Sequence, residues 1–96
     1  MQYVYVLLND KGDFYTGCAS NLDKRMTEHV GGKSFYTKDR GEYKLIYNEA
    51  CLNVKDGFSR EKYLKSGQGK RNLKNRLKRY LEDNKEVALA WQKEVI

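Results

Sequence analysis

The 96-residue chain has no proline, one histidine, two cysteines and no apolar run that approaches membrane length. Each shortage removes a class of explanation. With no proline, no low-complexity stretch and no internal repeat, there is no linker signature, so residues 1–96 read as one domain with one modest core. A membrane span needs roughly 18 consecutive apolar residues, and the start at Met1 lacks the basic, apolar and small-residue regions of a secretory signal. The expectation is a cytoplasmic protein with no membrane partner. Cys18 and Cys51 form no C-x-x-C pair, and with His29 as the only imidazole a zinc site lacks its usual ligand set. Both read as reduced thiols on a half-buried strand surface, because a cytosolic domain of this size needs no disulfide to fold.

What is present is a globular composition with an uneven charge. Hydrophobic residues at 40% and charged residues at 33% exclude a disordered tail. The formal charge of +6 comes from one segment: residues 60–80 hold nine basic side chains against Glu61 alone, whereas residues 1–59 balance eight against eight and residues 81–96 are net negative. Lys62, Lys65, Lys70, Arg71, Lys74 and Arg76 are the candidate phosphate contacts of that segment. A solvated helix face is the plain alternative.

The hydrophobic pattern predicts three strands. Tyr3 to Leu8 is apolar on both faces, Asn9 to Asp13 has turn chemistry, and Phe14 to Cys18 returns as the second arm of a hairpin. Ser20 is positioned to cap a helix in which Leu22, Met26 and Val30 recur every fourth residue, ended by Gly31-Gly32. A polar loop over 33–42 carries Lys33 and Lys38, and Tyr43 to Cys51 is the third strand. Asn53 caps a second helix with Val54, Phe58 and Leu64 as apolar contacts. After the break at Ser66-Gly67-Gln68-Gly69, a third helix carries Leu73, Leu77 and Leu81 as a narrow stripe. Asn84 starts a short terminal helix with Val87, Trp91 and Val95. The expected class is α+β, order β-β-α-β-α-α-α, with a small three-stranded antiparallel sheet flanked by helices. The core spans residues 2–80 and residues 81–96 form a helical extension.

Five side chains exceed what a scaffold requires. Tyr5 and Tyr15 share a sheet face if paired positions sum to an even number, which a five-residue loop at 9–13 supplies. That places two phenols above Gly17, whose missing side chain leaves room for a ligand to approach the backbone. Arg25 and His29 lie four apart on one helix face beside the apolar stripe, where the arginine can aim its donors into a cleft. Glu61, next to the apolar face of its helix, costs free energy unless a cation pairs with it. Arg60, Lys62 or Lys65 can do so, and so can magnesium held by one or two carboxylates and substrate phosphate oxygens. Together the five outline phosphodiester hydrolysis: a phenol near a lysine to activate water, an arginine for the phosphorane charge and a metal at the leaving oxygen.

These residues resemble the GIY-YIG nucleases. Tyr3-Val4-Tyr5 stands at the first motif and Tyr15-Thr16-Gly17 at the second, about ten residues later. Asn21 to His29 carries the family arginine and the following histidine, and Ser59 to Lys65 resembles the glutamate helix. The chain is most similar to small standalone members and to the nuclease module at the amino end of the bacterial excinuclease C subunit, with a place in DNA repair as the implied setting. The resemblance implies that Tyr5 is the general base or its close partner and that Tyr15 positions water and phosphate. It further implies that Arg25 holds the scissile phosphate, that His29 assists, and that Glu61 binds one magnesium or manganese ion. Tyr3 replaces the glycine of the first motif. Asn72 and Asn75 are both candidates for the family's late asparagine, and Lys33 and Lys38 for a lysine that lowers the pKa of the base.

The expected activity is therefore metal-dependent DNA endonuclease, on duplex or branched DNA, with salt-sensitive backbone contacts and a protein partner as a possible source of specificity. Two other readings stand beside it. One is a non-catalytic nucleic-acid-binding module on the same scaffold, and the other an interaction protein that dimerises through its Trp91 helix.

Overall fold

The computed structural model describes residues 1–30 and 43–83. Its central element is β1 (Gln2–Asn9), which pairs antiparallel with both β2 (Phe14–Ala19) and β3 (Tyr43–Cys51) in the order β2-β1-β3. A strand in the middle of a sheet covered on both sides must be apolar on both faces. Val4, Tyr5, Val6, Leu7 and Leu8 are accordingly all buried.

The hairpin turn fixes the register. Asn9 is buried, and its Oδ1 accepts hydrogen bonds from the backbone N–H of Lys11 at 3.0 Å and of Asp13 at 2.7 Å, closing the loop around one side chain. Tyr3 then faces Ala19, Tyr5 faces Gly17 and Leu7 faces Tyr15, so paired positions sum to an even number as the loop length predicted. On the other side, Val6 pairs with Tyr47 but Leu7 with Leu45, which makes Ile46 the extra residue of a bulge.

The two sheet faces hold separate clusters. Tyr5, Leu7 and Ala19 pack with Tyr15, Leu22, Met26 and Tyr43 on the side of α1 (Leu22–Val30). Val4 and Val6 pack with Leu64, Leu73, Ile46 and Tyr63 on the side of α2 (Val54–Lys65) and α3 (Gly67–Arg76). With α4 (Lys78–Asp83) the element order among the described residues is β-β-α-β-α-α-α, which matches the expected order although this α4 precedes the segment expected to form the last helix.

Several local expectations are corrected. The cap of α1 is Asn21, not Ser20: its Oδ1 accepts from the Lys24 N–H at 3.0 Å. The expected third helix divides at Leu77, whose φ of −102° and ψ of 19° end α3, so the basic segment lies on two helices. Ser66 both ends α2 and caps α3, with its hydroxyl accepting from the Gly69 N–H at 3.1 Å, which shortens the expected four-residue break. In α2, Asn53 caps as predicted, but Val54 and Phe58 are exposed. Leu64 is buried as expected, and Gly57 is the other buried residue of the helix. A Cβ at Gly57 would overlap Gln2 and reach Cys18 Sγ at 3.4 Å, so the glycine lets α2 lie close to the sheet. The sheet-facing stripe is thus 57, 61, 64, which is why Glu61 is half-buried. Gly31, Gly32, the loop lysines Lys33 and Lys38, and the terminal segment with Val87, Trp91 and Val95 lie outside the described residues.

Candidate active site

The β1–β2 register puts Tyr5 directly opposite Gly17, and the pleat puts Tyr15 on the same face two residues away. A Cβ on Gly17 would overlap the Tyr5 phenol and come within 3.0 Å of Tyr15 Cε1. The space over this glycine is therefore filled by the two phenols, and the opening expected there for a ligand does not exist. Gly17 serves the site by letting Tyr5 lie flat across the hairpin.

His29 completes a three-ring layer from α1. Its Nε2 is 3.1 Å from the Tyr5 hydroxyl in a buried contact, and its ring centroid lies 5.7 Å from Tyr5 and 5.2 Å from Tyr15. The two tyrosine rings are 6.1 Å apart. At 7% exposed, this histidine is no surface residue. Helical spacing explains the approach: Leu22 and Met26 pack on the tyrosine cluster, and His29 follows Met26 by one turn.

Burial governs the protonation of this layer. It raises the Tyr5 pKa far above the ordinary phenol value of 10.0, the nearby Tyr15 adds to the effect, and the Arg25 charge only partly offsets it. His29 is lowered from 6.5, again first by burial and then by the positive charge of Arg25. At neutral pH the pair is accordingly a neutral phenol against a neutral imidazole.

Arg25 sits one turn before His29, half out in solvent, with its Nε 3.6 Å from Glu28 Oε2. Its positive charge lowers the pKa of both Tyr5 and His29, in each case against or beside the larger effect of burial. Beside it, Asn21, Lys24, Arg25 and Glu28 line an open groove of about 250 Å³ with Ala19 and Ser20. Asn21 and Lys24 carry no motif of their own; only their place at the start of the arginine helix could have marked them.

Glu61 approaches from α2. Its side chain is 22% exposed, and Lys65 Nζ lies 3.1 Å from its Oε2, which is one of the pairings open in the sequence. Burial raises the pKa of Cys18 and the negative charge of Glu61 adds to it; on Tyr5 that charge is the weakest of several influences. Tyr5, Tyr15 and His29 are thus in direct contact, Arg25 acts on Tyr5 and His29 through its charge, and Glu61, on the helix that packs against the other sheet face, reaches the layer only through its weak effect on Tyr5.

The remaining candidates are more scattered. Lys62, Lys65, Lys70, Arg71 and Arg76 are exposed and Lys74 is half-buried. Arg76 also stands over the Tyr47 ring at 6.0 Å. Asn72 donates to the Tyr63 hydroxyl at 3.4 Å, a contact between α2 and α3, while Asn75 is exposed. A network that the sequence did not suggest fastens α2 to β3: Arg60 Nε donates to Glu49 Oε1 at 2.6 Å, and the Tyr47 hydroxyl donates to Glu49 Oε2 at 2.7 Å. Eleven positions separate Arg60 from Glu49, so no local spacing rule would have paired them.

Several known proteins are similar to this chain. The chain is 42% identical over 66 residues to a UPF0213 protein of Clostridium perfringens, covering 68% of this chain and 71% of that one. It is 33% identical over 91 residues to a UPF0213 protein of Bacillus licheniformis, covering 94% and 89%. Among solved structures it is similar to the solution NMR structure of a UPF0213 protein from Bacillus halodurans, with 32% identity, coverage of 76% and 82%, and a TM-score of 0.49. The GIY-YIG catalytic domain matches residues 1–75, a span that contains both tyrosine strands, the arginine helix and the glutamate helix, and the chain belongs to the GIY-YIG family.

Proposed function

We infer that this protein is a metal-dependent endonuclease that hydrolyses phosphodiester bonds in DNA. The observation that carries the reading is the buried contact of Tyr5 with His29, because a scaffold gains little from placing a neutral imidazole against a phenol that burial keeps protonated. Such a pair can move a proton without creating a lone buried charge in the resting state.

The proton path runs inward. Water meets the layer at Tyr15, the more exposed phenol; as its oxygen attacks phosphorus its proton goes to the Tyr15 hydroxyl oxygen while the Tyr15 hydroxyl proton passes to the Tyr5 oxygen. The Tyr5 proton passes to Nε2 of His29, which accepts it in the tautomer protonated at Nδ1. Arg25 neutralises the charge that develops on the phosphorane oxygens. When Arg25 engages phosphate, the positive charge that depresses His29 is partly compensated, so the imidazole becomes a better acceptor as the site fills. The outer lysines and arginines of α2, α3 and α4 hold the backbone of the nucleic acid.

Glu61 fits a hard divalent cation. Among the described residues no three His, Cys, Asp or Glu side chains gather, so these residues offer a single carboxylate at this point and no cage. Glu61 would hold magnesium or manganese through its carboxylate, with water and substrate phosphate oxygens as the other ligands such an ion prefers. Such an ion supplies Lewis-acid stabilisation of the leaving oxygen. Lys65 occupies Glu61 in the free protein and yields it, or bridges to phosphate, when substrate arrives.

The test is nicking of supercoiled plasmid by the full chain with magnesium, manganese or chelator, beside Glu61→Ala. Cleavage that requires the ion and is lost in Glu61→Ala supports the reading. A second reading, a non-catalytic nucleic-acid-binding module, rests on Tyr5 being only 1% exposed. It predicts DNA binding with no cleavage under any divalent ion.

A further inference from the structure

Three apolar side chains around the start of α2 are left in solvent: Leu52, Val54 and Phe58, the last 53% exposed. Exposing a phenyl ring forgoes about 1.5–3 kcal/mol of burial. The company Phe58 keeps indicates what compensates. Successive helical residues are about 100° apart, so Lys55, Phe58, Lys62 and Lys65 fall on one side of α2 at spacings of three, four and three. All four are exposed. Going round the helix, Glu61 lies between this stripe and the buried Gly57 and Leu64, whereas Arg60, tied to Glu49, lies on the opposite border. The stripe therefore adjoins the Glu61 side of the site and not the β3 side.

We propose that this stripe binds a single-stranded nucleic-acid segment, with Phe58 as the platform on which one unpaired base stacks. The lysines supply charge for a phosphate backbone that would repel an acidic protein surface and gain nothing from an apolar one. A ring interleaved among them suits a base, since stacking needs only a π face and is worth about 1–3 kcal/mol per base. A base inside an intact duplex is already stacked and presents no free face to a ring on a helix surface. Phe58 precedes Glu61 by three residues, about 4.5 Å along the axis, so the stacked nucleotide neighbours the phosphate that Glu61 addresses. As a statement about the substrate, this rests on the nuclease reading above: the preferred DNA is branched, flapped or otherwise carries unpaired nucleotides.

The experiment measures binding of a short single strand carrying 2-aminopurine, and of a blunt duplex of equal length, to the full chain in chelator so that no cleavage occurs. Wild type is expected to bind the single strand and to quench its fluorescence through stacking. Phe58→Ala is expected to lose the quench and about tenfold or more in single-strand affinity, with duplex affinity changed by less than about twofold. Phe58→Tyr is expected to retain both signals. Lys55→Ala and Lys62→Ala should each reduce the salt dependence of single-strand binding by about 0.7 in the log–log slope while keeping the quench. An unchanged quench and affinity in Phe58→Ala overturns the proposal, as does an equal loss on duplex. So does a change confined to self-association, which would assign the patch to a second copy of the chain. Plasmid nicking in magnesium, run in parallel, separates the two readings. Nicking by wild type with no role for Phe58 in single-strand binding removes only the stacking surface. Phe58-dependent binding without nicking removes only the nuclease.

Discussion

The hydroxyl of Tyr5 and Nε2 of His29 stand 3.1 Å apart in a buried contact, although 24 positions separate them in the chain. A hairpin register brings one and a helical turn the other, and Gly17 leaves the space that the Tyr5 phenol occupies.

That space is tight enough to test. Gly17→Ala places a methyl group against the Tyr5 phenol and Tyr15, and the expected loss is about 1–3 kcal/mol, typical of overpacking. A thermal midpoint lower by several degrees would register it. Combining it with Tyr5→Phe, which removes the hydroxyl that the methyl would strike, should cost less than the sum of the two single changes. Strict additivity would show that Gly17 and Tyr5 do not share the space.

The pKa shifts give two pH limbs with opposite signs. His29 titrates below its ordinary 6.5, so between 6.5 and its folded value the unfolded chain binds the extra proton. Stability should therefore fall as pH drops through that window, and His29→Asn should flatten the acid limb. Tyr5 titrates above its ordinary 10.0, so its contribution is complete below pH 10 and declines as pH rises beyond it. Tyr5→Phe should flatten the alkaline limb. Denaturant midpoints across pH, with each variant subtracted from wild type, measure both; a histidine limb that rises toward acid would reverse the assignment.

Removing Glu49 leaves Arg60 and the Tyr47 hydroxyl without their shared acceptor. Because both members of the ion pair are partly exposed, the expected cost of Glu49→Ala is about 1 kcal/mol, near the low end for a broken charged hydrogen bond. A double-mutant cycle with Arg60→Ala should show coupling of about that size. Zero coupling would mean that α2 is held to β3 by apolar packing alone.

Glu61→Ala should abolish nicking while changing DNA affinity by less than about threefold, since the exposed basic residues remain. Manganese binding followed by paramagnetic broadening of tyrosine resonances near the site gives a readout independent of cleavage. Equal broadening in Glu61→Ala would move the ion elsewhere.

Much of this site was legible from spacing. Strand alternation and loop length put Tyr5 and Tyr15 on one face, and a four-residue interval put Arg25 and His29 on one face of a helix. What spacing left open was rotation and surroundings. Phe58 looked like a core residue because Val54, Phe58 and Leu64 fall within one arc of the helix, as 57, 61 and 64 do, and only the close approach permitted by Gly57 decides between them. Gly17 was read as an opening because a sequence shows the missing side chain but not the phenols that occupy its place. Leu73, Leu77 and Leu81 implied one helix where the chain makes two, since the same stripe survives a single-residue break. The Glu49–Arg60 pair depends on how a helix sits against a strand, and that is set by tertiary packing.

The central claim is that the buried Tyr5–His29 pair moves a proton during phosphodiester cleavage. Its most direct test is the single-turnover rate of plasmid nicking by Tyr5→Phe at neutral pH in magnesium, with DNA affinity measured beside it. The account predicts a rate at least about 100-fold below wild type, the scale of a lost proton-transfer group, with affinity changed by less than about twofold. Nicking by Tyr5→Phe at the wild-type rate would contradict it.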